Sequence, residues 1–288
     1  MQTREVSLTM NPIVRRVIIL GPPLAVGILT LFHPGASTGA FEDLAPQVDW
    51  WITLHMLLLV LFCLLGLSAY LLLDGVEGTA ATFSRIALGV FVIFYPALDV
   101  ILGVSTGILV RYTSGLPTLP QAIAAQAVDT FFSGNPLTSV IGALGGFGWG
   151  IGILLAAVAL SRPTWSRWLL VVPALLAGLA LAYEHAVSII LIYALFSSNE
   201  VFVFVMLVAV ALGLVVRPRL AVGLLVMAAY FLGVSHVSPY GPAAMACYFV
   251  AALQLEFFTR RKALVDKEIV PVEQEVVPAE KEMVPEPS

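Results

Sequence analysis

Within an otherwise apolar stretch of this 288-residue chain, Tyr183-Glu184-His185 sets a carboxylate beside an imidazole. Ionisable side chains cost free energy in hydrocarbon, and where they are kept they mark functional sites. The other three histidines, His33, His55 and His236, also lie in or next to apolar runs. At the helical rise of about 1.5 Å per residue, His55 falls roughly 6 Å below an outer boundary at Trp51. Measured from the opposite boundary, His33, His185 and His236 fall roughly 24–26 Å across a core about 30 Å thick. All four therefore occupy one layer near the outer edge.

Asp99 is deeper, roughly 18 Å from Arg111 along its helix and so near the midplane. Its helical neighbours Tyr95, Gly103 and Thr106 share a face with it, a narrow polar stripe that must turn towards other helices rather than lipid.

Three chemistries suit these residues. His55 and His185, with one or both of His33 and His236 and with Glu184 as ligand or orienting carboxylate, form an outward-facing transition-metal site. A variant places a haem between His55 and His185, because haem iron accepts histidines from facing helices. Alternatively Asp99, Glu184 and the histidines line a proton-linked path for a small solute, with Pro96 loosening the helix beside Asp99. In the third reading the polar groups only bond helix to helix in a scaffold or accessory subunit. His33 and His236, close to Pro34 and Pro239, fit that reading best. The sequence carries no HExxH, CxxC or HxxxH spacing, Walker loop or nucleophile elbow that would name a reaction.

The elements that must position these groups are clearer. Sixty per cent of the residues are hydrophobic and 11% charged, and the mean hydropathy is +0.99. A soluble domain could not bury so much apolar surface, and long uncharged runs cross a bilayer as helices. The expectation is an all-α integral membrane protein, an eight-transmembrane-helix bundle over residues 17–262, with a polar pocket opening outward between helices two, three, five and seven. The first apolar run, Val17 to Phe32, follows Arg15 and Arg16 and resembles a signal peptide with small residues at 36–40 for cleavage. An uncleaved first helix is the preferred reading, because the later spans need an orienting anchor. Gly21-Pro22-Pro23 is expected to kink or break it. The later spans cover about Trp51–Leu73, Ser84–Val110, Leu137–Leu160, Trp168–Ser188, Val201–Val216, Leu220–His236 and Ala243–Phe258. Past Ser188 the apolar character runs on to Phe196, as either one long tilted helix or a bend along the surface.

An even number of spans puts both termini on one side. Assigning them to the cytoplasm leaves Arg111 as the only outer residue among the 14 lysines and arginines, as the positive-inside rule requires. Trp165 and Trp168 then mark the inner interface, and Trp50 and Trp51 the outer one. The location implied is a bacterial-type inner (cytoplasmic) membrane. Basic residues at span ends are snorkelling anchors facing the lipid bilayer, which gives no support to nucleic-acid binding.

In the outer segment 111–136, Pro120 to Phe132 reads as a short amphipathic helix, either a lid over the bundle mouth or an interfacial spacer. The fourth span repeats glycine at 142, 146 and 150 and at 148 and 152, which lets a neighbouring backbone approach closely, in this chain or in a homo-oligomer. Cys63 and Cys247 lie in apolar runs without ligand spacing. The tail over 263–288 repeats acidic blocks ending in proline, at Pro271, Pro278 and Pro285. That pattern specifies a disordered acidic cytoplasmic tail, a solvated spacer or a docking segment for a cytoplasmic partner.

Overall fold

Backbone amides that face hydrocarbon must find their partners inside their own segment, and the chain meets that demand with helices. The computed structural model describes residues 10–35, 39–160 and 219–259, and among these every regular element is helical. In order they are α1 (Pro12–Leu31), α2 (Ala40–Leu44), a single 3-10 turn at Ala45–Gln47, and α3 (Val48–Leu72). Next comes α4 (Thr79–Leu98), which continues through a π-helical stretch, Asp99–Ser105, into α5 (Thr106–Ser114). Then come α6 (Thr118–Gly134) and α7 (Pro136–Leu160). After the gap come α8 (Arg219–Val234) and α9 (Tyr240–Gln254), which ends in a second π-helical stretch, Leu255–Thr259. The spans expected over Trp168–Ser188 and Val201–Val216, the acidic tail, and Glu184 and His185 lie outside the described residues.

Among the described residues, four helical stretches are long and apolar enough to cross a membrane: Pro12–Leu31, Ala40–Leu72, Thr79–Ser114 and Thr118–Leu160. The apolar part of α8, Ala221–Gly233, is shorter. One continuous core joins α1, α3, α4, α7, α8 and α9, built on the fully buried Phe62, Phe91, Trp149 and Tyr248. The glycine face of α7 is used within the chain. A Cβ on Gly148 would stand 2.6 Å from the Phe91 amide nitrogen, and one on Gly145 would stand 2.9 Å from Tyr95 Cα, so α4 lies directly on this face. Gly146 and Gly150 turn instead towards the Gly233 and Ala229 carbonyls of α8.

The proline pair does not break α1, which runs unbroken through Pro22 and Pro23. Pro23 lacks the N–H that would bond the carbonyl of Ile19, four residues back. That carbonyl accepts instead from Ser68 Oγ of α3 at 2.7 Å, and Ser68 Oγ is 3.0 Å from the Tyr248 hydroxyl of α9. The lost intrahelical bond has become a three-helix tie.

At the same end of the bundle, Arg15 departs from the expected snorkelling anchor. Its side chain is 7% exposed, 3.1 Å from Asp74 Oδ2 and 3.4 Å from Glu256 Oε1, and it donates to the Leu71 carbonyl at 2.6 Å. Arg85 donates to the carbonyls of Leu73 and Val76, closing the end of α3. Arg15 and Glu256 are both buried, and breaking a buried ion pair by removing one partner costs about 3–5 kcal/mol. Arg15→Met is expected to lower the thermal melting point in detergent, and adding Glu256→Gln should recover part of the loss. If the single and double variants melt together with the wild type, the pair holds nothing in place.

Candidate metal centre

The histidine layer lies at the opposite end of the bundle from Arg15. His33 sits just past the C-terminus of α1, His55 one turn into α3 beyond Trp51, and His236 in the connection from α8 to α9. The three come together: each offers a ring nitrogen within 4.8 Å of the other two. His33 meets His55 and His236 edge to face, with centroids 5.1 and 5.0 Å apart.

Local hydrogen bonds assign the ring atoms. His33 Nδ1 donates to the Pro34 carbonyl and His55 Nδ1 donates to the Trp51 carbonyl, both at 2.8 Å. A carbonyl only accepts, so both rings carry their proton on Nδ1 and present the Nε2 lone pair. His236 Nδ1 is 3.2 Å from the Tyr95 hydroxyl, which can take either role. The Nε2 atoms of His33 and His236 are buried and have no hydrogen-bond partner among the described residues. Burial pushes the His33 imidazole below its usual pKa, with the Pro34 hydrogen bond offsetting part of the shift. The neutral ring, which is the metal-binding form, is therefore favoured.

Asp99 opens the π-helical stretch between α4 and α5, three residues after Pro96. π-Bulges inside helices recur at functional sites. The Asp99 side chain is 2% exposed, and its Oδ1 lies 3.8 Å from His55 Nε2. Its Oδ2 and the nearby-stripe Thr106 Oγ1 are buried without a partner among the described residues. One turn on, Gly103 is what lets His55 lie flat on this helix. A Cβ there would stand 2.0 Å from His55 Cδ2. The Gly103 carbonyl in turn accepts from Trp51 Nε1 at 2.7 Å. Gly241 does the same for the other arm, because a Cβ on it would collide with the His236 backbone.

A second apolar cluster lies at the histidine end of the bundle. Ala40, Leu44, Trp51, Val110 and Val128 form it, with Phe132 packed alongside. Asp129 of α6 accepts from the Phe41 amide at 2.9 Å and so caps α2. On the rim, Arg111 pairs with Asp49. The amphipathic helix expected at Pro120 to Phe132 is thus α6, somewhat longer, and it reaches the site through the 6.3 Å contact of Phe132 with Trp51.

His33 and His236, named as optional ligands and also as the histidines that best fit a purely structural role, stand with His55 in the cluster, and Tyr95 and Asp99 flank it. The pocket therefore draws on the segment after the first span, which the expected helices two, three, five and seven did not include. Trp51 is not an interfacial belt residue. It is 3% exposed, with its ring 4.1 Å from His55 and 5.2 Å from His33, whereas Trp50 is 37% exposed. Its position one turn before His55 placed it on the same helical face, a signal the belt interpretation passed over. The chain matches no protein-family model, no curated protein and no solved structure.

The seat of His55 on Gly103 has a direct test. Helix propensity alone makes Gly→Ala favourable by up to about 1 kcal/mol. Gly103→Ala is expected to lower stability by about 1–3 kcal/mol, as overpacking does, while Gly89→Ala, which meets nothing within 4 Å, stays at or above wild type. Equal melting points for the two variants would mean that His55 does not lie against this helix.

Proposed function

We propose that the chain is a multi-pass protein of the cytoplasmic membrane that holds a transition-metal ion near its outer face through His33, His55 and His236. The carrying observation is the meeting of three imidazoles from separate elements, each with a ring nitrogen within 4.8 Å of the others, two of them with buried Nε2 atoms that no described residue satisfies. Buried polar atoms are otherwise nearly always paired.

His33 and His55 bind through Nε2, since their Nδ1 protons are engaged by the Pro34 and Trp51 carbonyls. His236 also binds through Nε2, donating its Nδ1 proton to the Tyr95 hydroxyl, the outer-shell contact that fixes a ligand ring. A tetrahedral ion with bonds of 2.0–2.1 Å needs nitrogens about 3.3 Å apart, so the rings close by at most about 1.5 Å on binding. The edge contacts between His33 and its two neighbours favour an ion over a haem, whose plane would have to pass between rings already touching. Three imidazoles leave a fourth position on a tetrahedral ion, and what fills it decides whether the centre is structural or supplies Lewis-acid or redox chemistry.

The full topology is eight spans with both termini in the cytoplasm. It draws support from Arg15, Arg16 and Arg85 gathering at the end away from the histidines, and from the basic residues of the remaining loops. In this reading α1 is retained rather than cleaved, because Ile19 and Val26 belong to the core and His33 to the centre.

Protein purified without a histidine tag and offered Zn2+, Cu2+ or Fe2+ should carry close to one metal per chain. His33→Ala, His55→Ala and His236→Ala should each remove most of it. Tyr95→Phe should weaken binding by about 10–100-fold, as loss of an outer-shell partner does. Background metal in the wild type with all three ions ends this reading.

A further inference from the structure

Building on that metal centre, we propose that Asp99 is its fourth protein ligand, completing a three-imidazole, one-carboxylate set suited to a divalent cation. In a tetrahedral centre any two ligand atoms are about 3.3 Å apart. Asp99 Oδ1 is 3.8 Å from His55 Nε2 and flanks the three-histidine cluster without belonging to it, so it reaches an ion shared with His55 by a small shift and the other two imidazoles by a larger closure.

The rest of the local structure serves that approach. Asp99 begins the π-helical stretch, and Gly103 within it admits the His55 ring against the backbone. The Asp99 side chain is almost wholly buried, makes no hydrogen bond through Oδ2 to any described residue, and has no arginine or lysine ion-paired to it there. An isolated carboxylate in apolar surroundings is costly, and an ion bearing only neutral imidazoles is costly too. Coordination removes both penalties at once. Carboxylate in place of a thiolate or thioether moves the preference away from Cu+ and towards Zn2+, Fe2+, Co2+ or Mn2+. Neither Cys63 nor Cys247 belongs to the cluster.

Co2+ is the useful probe, because its absorption reports the ligands directly. The full-length protein in detergent is titrated with Co2+ as wild type, Asp99→Asn and Asp99→Cys. Wild type should bind one Co2+ with the strong visible bands of a four-coordinate ion. Asp99→Asn should bind more weakly by more than the roughly 10–100-fold that loss of an outer-shell partner costs. Asp99→Cys should add a thiolate-to-Co2+ charge-transfer band in the near ultraviolet that the wild type, with its native cysteines, lacks. A Co2+-loaded Asp99→Cys protein without that band, or Asp99→Asn with wild-type affinity, overturns the assignment and leaves the histidine centre standing. A wild type that takes up no Co2+ overturns the assignment, and one that takes up no Zn2+, Cu2+ or Fe2+ either sinks the histidine centre itself. Should one variant fail to fold, the other decides, since affinity and spectrum are separate readouts.

Discussion

Polar atoms buried between packed apolar helices have no water to complete their hydrogen bonds, so each must be answered by another part of the chain. Most of the described interior meets that condition. Pro23 strips a donor from α1, and Ser68 of α3 and Tyr248 of α9 gather around the carbonyl left behind. Ser84 Oγ donates to the Gly152 carbonyl, and Trp149 Nε1 donates to the Ala228 carbonyl, so polar side chains knit α4 to α7 and α7 to α8. Arg15 is buried beside Glu256 with Asp74 at the rim.

The same accounting stays open around the histidines. Of the six buried side-chain atoms without a hydrogen-bond partner among the described residues, four gather here: His33 Nε2, His236 Nε2, Asp99 Oδ2 and Thr106 Oγ1. The other two are Arg15 Nε, which is ion-paired with Glu256, and Gln254 Oε1. The chemistry of the four is uneven in a telling way: imidazole lone pairs and a carboxylate are electron-pair donors that a cation satisfies together. The supporting structure also converges there. Glycines at 103 and 241 allow backbone and ring to approach closer than any Cβ would permit. Trp51 braces two of the rings, and Phe132 of α6 braces Trp51. The cluster and α6 thus form one packed unit at the histidine end of the bundle.

Particular residues show how much of this was legible beforehand. The common depth of His33, His55 and His236 followed from helical rise, and the inward turn of Tyr95, Asp99, Gly103 and Thr106 followed from helical period; Tyr95, Asp99 and Thr106 are all buried. The starting pair, Glu184 and His185, lies outside the described residues, so it enters no geometric argument. Whether His33 and His236 were ligands or structural stayed open, because each stands beside a proline at a helix end and sequence neighbours say nothing about what lies across the bundle. Arg15 looked like a lipid-facing anchor for the same reason: its partners are 59 residues away at Asp74 and still further at Glu256.

What the sequence determined by itself is helical character, four membrane-length apolar stretches among the described residues, and the level of each polar group along its own helix. These depend on periodicity and on the free energy of apolar transfer, which act locally along the chain. Only the tertiary structure decided which polar groups at that level face one another. Helix order around a bundle is set by the fit of surfaces such as the α7 glycines against α4, and by long-range ties such as Ser68 to Ile19. Depth is a one-dimensional property that a single helix carries; azimuth around the bundle is a property of pairs of helices, and no single segment encodes it.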